Sequence, residues 1–197
     1  MARTLTETAR RAQIVQAAIE VIAVEGYAKA SFARIAKQAG LSSTGMISYH
    51  FAGKEDLLHE VVGEVLRVSG EYIVPRIEAH TGARDRLRAF IVANVELATV
   101  YPQHLLALVE VLNVLGDDPQ GQFAQSQRAV MEAQVQVVRA AQAAGEFGEF
   151  DARVLVTAIR GAVDAVLTRA VKDPELDLAT AARELAELFD RAVRPAN

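Results

Sequence analysis

The sequence contains no cysteine and no uninterrupted apolar run long enough to cross a bilayer. The missing cysteine excludes a disulfide framework, a thiol nucleophile and a thiolate metal site. The first residues also lack the apolar stretch of a signal peptide. These absences predict a soluble cytoplasmic protein that does not insert into a membrane, and its 197 residues are enough for one or two domains with a sizeable core.

Patterns that are typical of enzymes and metalloproteins are missing as well. The four histidines show no HExxH spacing, and neither a phosphate-binding loop nor a nucleophile elbow occurs. Spacing along the chain does not test sites that assemble only in space. We expect no catalytic residue, no metal ion and no cofactor, and an enzyme is the least favoured interpretation.

Segments with the period-two alternation of a strand are also absent, and almost every segment has the apolar spacing of an amphipathic helix. We therefore predict an all-α fold of about nine helices. Gly26 is expected to end the first helix. Ser31 is expected to cap a short second helix, which Gly40 closes.

The third predicted helix opens at Ser42 or Ser43 and ends near Phe51. A long fourth helix is predicted to begin at Lys54, since acidic residues follow at once and suit the first turn of a helix. Pro75 is expected to kink or end that helix. Five further helices fill the rest of the chain.

The two short helices around Gly40 have the properties of a helix-turn-helix. Glycine tolerates the positive φ of a tight turn, and an apolar seam would hold the angle between the helices. The predicted seam consists of Ile35, Ala36, Ala39, Leu41, Ile47 and Phe51. The residues predicted to be exposed on the second of these helices are Ser43, Thr44, Gly45, Met46, Ser48, Tyr49 and His50. Their hydroxyl and aromatic groups suit phosphates and base edges; the alternative is a surface hairpin with ordinary polar residues.

Charge is distributed unevenly along the chain. Up to Lys54 there are seven basic and three acidic residues, a charge of +4, whereas the whole chain has a net charge of −4. The remainder therefore carries −8. A basic N-terminal part on an acidic remainder suits phosphate binding at one end only, and the alternative is chance segregation.

At this segment the sequence strongly resembles the TetR family of bacterial transcriptional regulators. The resemblance covers about the first quarter of the chain, including the closing Tyr-His-Phe-x-x-Lys. The matching positions are Gly26, Tyr27, Ser31, Phe32, Ile35, Ala36, Ala39, Gly40, Leu41, Ser42, Ser43, Gly45, Ile47, Tyr49, His50, Phe51, Lys54 and Leu57. It implies an N-terminal three-helix DNA-binding domain over 1–53 and a C-terminal helical domain for ligand binding and dimerisation over 54–197.

The resemblance also implies roles for individual residues. Those implied to face the major groove are Thr44, Gly45, Met46, Ser48 and Tyr49. Those implied to bind phosphates are Ser31, Tyr49, His50 and Lys54. Ser48 stands where the family often has tyrosine, so a large contact surface is missing there. For His50 and Lys54 the alternatives are local packing and a solvated cation.

A palindromic operator requires a two-fold dimer, and the C-terminal helices offer a candidate interface. Small residues lie close together on one surface of the eighth predicted helix and apolar residues lie on the last helix; helices approach closely at small residues. The predicted interface consists of Ala158, Gly161, Ala162, Ala165, Leu185, Leu188 and Phe189. The alternative is a core helix inside one subunit.

An effector pocket is expected among the middle helices, where polar residues interrupt apolar stripes. The candidate lining residues are Phe90, Asn94, Leu97, Tyr101, Glu110, Asn113, Phe123, Gln127, Met131 and Gln134. For each of these residues the alternative is a helix surface that faces water.

We therefore expect a homodimeric regulator that binds a double-stranded DNA operator and is released from it by a small molecule, with repression as the expected sign. The alternative is a helical protein that binds or sequesters a small molecule and whose DNA-binding part is vestigial.

Overall fold

The computed structural model describes residues 5–115, 122–173 and 175–195. Within these ranges there are nine α-helices and one 3-10 turn at Tyr27–Lys29, as the all-α prediction requires. The helices are α1 (Leu5–Glu25), α2 (Phe32–Gln38), α3 (Gly45–His50), α4 (Lys54–Glu78), α5 (Ala83–Val100), α6 (Pro102–Leu115), α7 (Gln122–Ala143), α8 (Ala152–Lys172) and α9 (Leu178–Ala192).

The predicted start of the third helix is wrong, and of the kink or end predicted at Pro75 the end does not occur. The third helix begins at Gly45, because the chain uses Ser42 and Ser43 to complete the turn before Thr44 takes helical backbone angles. The fourth helix does not end at Pro75 but continues to Glu78. A proline inside a helix removes one N–H donor, and here the helix tolerates that loss.

The chain divides into two structural units. The head unit comprises Met1–Val68 and Tyr101–Asp117, and the body unit comprises Ser69–Val100 and Asp118–Asn197. The boundary between them falls inside α4, and α6 is grouped with the head unit. The predicted functional boundary at residue 53 stays a prediction.

The core of the head unit forms where α1 packs against α2 and α6. Ile14, Ile19 and Ile35 have no exposed surface, and Val111 of α6 is equally buried. These side chains follow the helical spacing of the sequence, since residues three and four apart share one helix face.

The core of the body unit lies where α5 packs against α8 and α9, and α7 packs against α8. Ile91, Val135 and Ile159 are buried in it together with Phe189. Among the described residues, no single helix is long and apolar enough to cross a membrane, although the consecutive pair α5 and α6 meets that length and composition when taken together.

Candidate nucleic-acid interface and ligand cavity

The turn between α2 and α3 has the geometry that the sequence predicts. Gly40 has a φ of +64°, the left-handed region that glycine adopts without strain. The Leu41 N–H donates to the carbonyl oxygen of Ala36 at 2.8 Å and closes the end of α2. Below the turn, Ile35 and Ile47 have no exposed surface, so the predicted apolar seam is confirmed at its centre.

The opposite face of α3 is open to solvent. Thr44, Gly45 and Ser48 are exposed, Met46 is half-buried, and 74% of Tyr49 is exposed. A six-residue helix with one buried isoleucine therefore presents hydroxyl and aromatic groups outward.

Gly45 is not required by the protein's own packing. A Cβ atom at this position would meet Oγ of Ser43 at 3.5 Å, an ordinary contact, and no positive φ occurs there. The glycine leaves the backbone at the start of α3 open to a close approach from outside.

Tyr49 and His50 form an aromatic pair at the end of α3. Their ring centroids lie 5.0 Å apart in an edge-to-face arrangement. The Tyr49 hydroxyl donates to Glu7 of α1 at 3.4 Å. His50 itself is half-buried, and its backbone carbonyl accepts a hydrogen bond from the Arg11 guanidinium.

Arg11 is a buried cation that fixes the end of α3, and sequence analysis counted it only as part of the basic N-terminal part. It is 8% exposed and its guanidinium carbon lies 4.2 Å from the centre of the Phe51 ring. Nη2 of Arg11 lies 2.6 Å from Oε1 of Glu60 on α4. Arg11 therefore joins α1, α4 and the last residue of α3.

Lys54 is held on Tyr27, in the turn that leads into α2. Its ammonium lies 3.8 Å from the centre of the Tyr27 ring and donates to the Tyr27 carbonyl oxygen at 3.2 Å. Burial lowers the pKa of the Lys54 ammonium. The Tyr27 N–H in turn donates to Oε2 of Glu110 on α6 at 3.2 Å, so α4 and α6 both position this turn.

The other cations of the head unit differ in their partners. Arg34 pairs with Glu25, and its backbone N–H donates to Oγ of Ser31 at 3.3 Å. The predicted cap at Ser31 is thus confirmed. Lys29 and Lys37 are exposed, and none of the described residues pairs with them. These two lysines are the cations of α2 and its preceding turn that remain available to a ligand.

The predicted dimer residues lie in two environments. Ala158, Gly161 and Ala165 are exposed along one face of α8 and Ala162 is half-buried. On α9, Leu185 is half-buried and 53% of Leu188 is exposed. Phe189 is 8% exposed and packs in the core of its own unit, which leaves it little surface for a partner.

The body unit contains a partly open cavity of about 620 Å³. Its wall is formed by α5, α7 and α8 with the end of α4 and the segment after α7. The lining residues are Ile77, Thr81, Ala83, Arg86, Leu87, Phe90, Val130, Ala133, Gln134, Val137, Val138, Ala140, Ala141, Glu146, Phe147, Val156, Ile159 and Arg160. Two of them, Phe90 and Gln134, are among the predicted pocket residues.

The other predicted pocket residues of the body unit lie outside this wall. Asn94 donates to the carbonyl oxygen of Phe90 one turn earlier. Gln127 accepts a hydrogen bond from Arg160, and Met131 packs against the body core. Leu97 is half-buried.

Three predicted pocket residues belong to the head unit: Tyr101, Glu110 and Asn113. Tyr101 stacks edge-to-face on His104 at 5.5 Å, Glu110 accepts from the Tyr27 N–H, and Asn113 is exposed. The side chain of Phe123 lies outside the described part of the chain. A polar residue within an apolar stripe was therefore not specific for the cavity, because such residues also occur in the head unit and on exposed helix surfaces.

Sequence analysis missed the two arginines of the cavity wall. Helical spacing was a usable signal, because Arg86 and Phe90 lie four residues apart on α5 and face the same cavity. No such signal was available for Arg160, because none of the predicted pocket residues lies on α8.

Asp190 is a buried carboxylate that the sequence did not single out. It is 2% exposed and accepts two hydrogen bonds from Arg84, both 2.8 Å, and one from Arg194 at 2.8 Å. The Arg84 hydrogen bonds outweigh burial and lower the pKa of Asp190 from 3.8 to about 2. In the described ranges, no group of three or more histidine, aspartate or glutamate residues is arranged to hold a metal ion.

Two family models match the chain. Residues 14–61 match the model described as bacterial regulatory proteins, tetR family, and residues 80–192 match a tetracyclin repressor-like C-terminal domain. Among curated proteins, the HTH-type transcriptional regulator BetI 1 of Chromohalobacter salexigens is 38% identical over 92 residues, which are 46% of this chain and 45% of that protein. The chain thus spans about half the length of the curated relatives it matches.

Solved structures agree with the fold. The transcriptional regulator FadR from Bacillus subtilis, in complex with stearoyl-CoA, has a TM-score of 0.79 at 24% identity, covering 93% of this chain and 99% of that chain. AibR, in complex with isovaleryl coenzyme A and operator DNA, has a TM-score of 0.72 at 19% identity, covering 95% and 100%. At these identities the likeness establishes the fold alone. Because the C-terminal family model extends over residues 80–192, more than half of the chain, and the N-terminal model covers the helix-turn-helix, the chain belongs to the TetR family of bacterial regulatory proteins.

Proposed function

We propose that this protein is a cytoplasmic transcriptional repressor that binds a palindromic DNA operator and leaves it when a small molecule binds the body unit. The observation that carries the proposal is that one face of α3 is buried on the head core and the other face is exposed. Ile47 fixes this helix on the head core, while Thr44, Ser48 and Tyr49 face solvent. An exposed second helix of this kind enters the major groove in helix-turn-helix proteins.

Base readout is assigned to the exposed face of α3. Ser48 offers a hydroxyl to a base edge, and Gly45 admits a close approach of the backbone. Met46 offers an apolar contact to a thymine methyl group, and Tyr49 offers both a ring and a hydroxyl. The residues assigned to this face are Ser43, Thr44, Gly45, Met46, Ser48 and Tyr49.

Phosphate contacts are assigned to the rim of α3 and to the cations around α2. Ser31, His50 and Lys54 keep the roles that the family resemblance implies; two of the three ammonium N–H groups of Lys54 remain after its hydrogen bond to Tyr27. Lys29 and Lys37 are added, because both are exposed without a partner among the described residues. Each phosphate that a cation neutralises releases counterions and steepens the salt dependence of binding.

A homodimer would place two α3 helices in successive major grooves, whose half-sites lie about 34–36 Å apart. The exposed face of α8 with Ala158, Gly161 and Ala165 supports this assembly, because small side chains allow helices to pack closely. On α9, Leu188 offers apolar surface to the same interface.

The effector role rests on the cavity of the body unit. Its volume of about 620 Å³ and its mostly apolar wall suit a small organic molecule. FadR and AibR, which share the fold, were each solved with an acyl coenzyme A, and AibR also with operator DNA. A ligand can shift the DNA-binding equilibrium only by its difference in affinity for the two conformations.

The test is a fluorescence anisotropy titration of the protein with DNA from upstream of its own gene and with random DNA, at several salt concentrations. The wild-type protein should prefer the upstream DNA by about 1,000-fold or more. Tyr49→Ala should reduce this preference more than it reduces binding to random DNA, since Tyr49 is assigned to base readout.

Tyr49→Phe is the matched control, because it keeps the ring and removes the hydroxyl. Equal losses on both DNAs in Tyr49→Ala would make Tyr49 a positioning residue. No preference for any upstream sequence at low salt would reject the repressor and leave a protein that only binds or sequesters a small molecule.

A further inference from the structure

The cavity of the body unit has a more cationic wall than its surroundings. The body unit, residues 69–100 and 118–197, has 16 acidic and 13 basic residues and a net charge of −3, yet the charged side chains of the wall are Arg86, Arg160 and Glu146. Glu146 is engaged, because its Oε2 accepts the backbone N–H of Ala83 at 2.6 Å, at the start of α5. The wall therefore favours a negatively charged group.

Neither arginine has a carboxylate partner among the described residues. The Arg160 guanidinium donates to the Gln127 side-chain oxygen, and Arg86 is exposed. The salt bridges of α8 among the described residues, Arg153 with Glu132 and Arg169 with Asp173, lie outside the wall. Two arginines that form no ion pair with a described residue are positioned at one cavity for an anionic ligand, because a guanidinium presents several N–H donors in one plane.

Most of the remaining wall is apolar, and part of it is exposed to solvent. Val130 and Val137 on α7 are 49% and 66% exposed although they line the cavity. Phe90 and Leu87 on α5 also line the cavity and are half-buried. Covering such side chains contributes about 25 cal/mol for each Å² of apolar surface removed from water. A ligand with an apolar chain would cover these side chains.

Besides the cationic and apolar parts, the wall contains a polar side chain, Gln134, that favours a hydrogen-bond donor on the ligand. Its Oε1 atom is buried in the wall and has no hydrogen-bond partner among the residues that the structure describes. A buried acceptor without a donor lowers stability, and a ligand N–H or O–H would supply the missing donor once the side chain turns toward it.

We propose that the cavity binds an amphiphilic anion whose apolar chain lies among α5, α7 and α8 and whose anionic group lies on Arg160 and Arg86. A ligand that also has an N–H group donates it to Gln134. The common chemistry is an acyl chain that ends in an anion, either a free carboxylate or the phosphates of a coenzyme A ester. This ligand is the effector only if the proposed function holds, but the site itself does not depend on it.

The test is calorimetric titration of the full chain with three probes of equal chain length: dodecanoate, dodecanoyl coenzyme A and methyl dodecanoate. Dodecanoate, dodecanoyl coenzyme A or both should bind about tenfold or more tightly than the neutral ester. Whichever of the two anions binds more tightly identifies the source of the charge. Binding of the neutral ester as tight as both anions, or no binding of either anion, would overturn the proposal.

Arg160→Gln should weaken binding of the anions about tenfold and leave the neutral ester unchanged. Arg139→Gln is the matched control, since Arg139 is an exposed arginine of α7 outside the wall. Equal losses in the two variants would reject Arg160 as the anion ligand. Thermal melting of each variant separates a binding defect from unfolding.

Two further variants test the chain and the donor. Val137→Trp at a largely exposed position should fill part of the cavity and weaken all three probes without unfolding the protein. Gln134→Leu should weaken dodecanoyl coenzyme A, which has amide N–H groups, more than dodecanoate, which has none. Equal effects of Gln134→Leu on both probes would remove Gln134 from the site.

The same titrations, repeated with labelled operator DNA present, separate this inference from the proposed function. Anion binding that needs Arg160 but leaves DNA binding unchanged would support the site and reject its role as effector site. Specific DNA binding without binding of either anion would support the regulator and reject the amphiphilic anion.

Discussion

Each of the two units buries one charged side chain among the described residues, and the two charges have opposite signs. In the head unit, Arg11 is 8% exposed and donates to the last carbonyl of α3. In the body unit, Asp190 is 2% exposed and accepts from Arg84 and Arg194. The first charge positions a helix that faces outward, whereas the second joins two helices, α5 and α9, that form a core. A buried charge thus serves orientation in one unit and stability in the other.

The largest expected effect is the loss of the Asp190 carboxylate. Asp190→Asn should lower the free energy of unfolding of the body unit by about 3 kcal/mol, because it removes charge-assisted hydrogen bonds from a buried group. Urea unfolding measures the change. Asp173→Asn, which alters a more exposed pair with Arg169, should cost less than about 1 kcal/mol.

The same carboxylate gives a pH test of the comparison. Because the pKa of Asp190 is lowered to about 2 in the folded protein from the ordinary value of 3.8 that applies to the unfolded chain, the unfolded chain binds the proton first as the pH falls. The contribution of Asp190 is therefore present above about pH 4 and lost between about pH 4 and 2. Wild-type stability should fall more steeply than that of Asp190→Asn in this window; parallel curves would contradict the assigned role.

Arg11→Met is the corresponding change in the head unit. It should cost about 2 kcal/mol, since the His50 carbonyl and Glu60 both lose a charged donor. DNA affinity should also fall about tenfold or more, because the end of α3 is no longer held. Arg10→Met, at the half-buried neighbouring position, is the stability control. Unchanged DNA affinity in a destabilised Arg11→Met protein would erase the difference between the two units.

Smaller effects are expected for two lysines of the head unit, Lys37 and Lys54, which differ in their contacts within the protein. Lys37→Ala should flatten the slope of log affinity against log salt by about 0.9 and leave stability unchanged, because the exposed Lys37 side chain has no hydrogen-bond or ion-pair partner among the described residues. Lys54→Ala should flatten the slope equally and also cost about 1 kcal/mol, because Lys54 packs on Tyr27. Anisotropy titrations in a salt series and thermal melting measure the two quantities. A changed stability with an unchanged slope would restrict Lys54 to positioning.

The smallest expected change in stability comes from Gly45→Ala. Its Cβ would meet an ordinary contact at 3.5 Å, so the free energy of unfolding should change by less than about 1 kcal/mol. Operator binding should nevertheless weaken, since the methyl group lies on the face assigned to DNA. Gly63→Ala on α4, where nothing lies within 4 Å, is the matched control and should leave binding unchanged. Equal binding by both variants would show that α3 does not approach DNA through this backbone.

Local pattern was sufficient where one helix face decides burial. Ile35 and Ile47 were predicted in the seam and have no exposed surface, and Gly40 has the positive φ that its turn requires. The start of α3 was predicted two or three residues early, because a serine before a helix and a serine in a turn look alike in sequence. Among the predicted pocket residues, Phe90 and Gln134 lie in the cavity wall, but nothing in the local sequence distinguishes them from the predicted residues that lie elsewhere.

The sequence by itself determined the helices, the turn at Gly40 and the exposed face of α3, because these depend on residues that are neighbours in one or two turns. Only the tertiary structure decided what each charge does. Asp190 meets Arg84 across 106 positions and Arg11 meets His50 across 39, and electrostatic interaction depends on separations of a few ångströms in space. The composition supplied the cations and carboxylates, and the packing of the helices selected their partners.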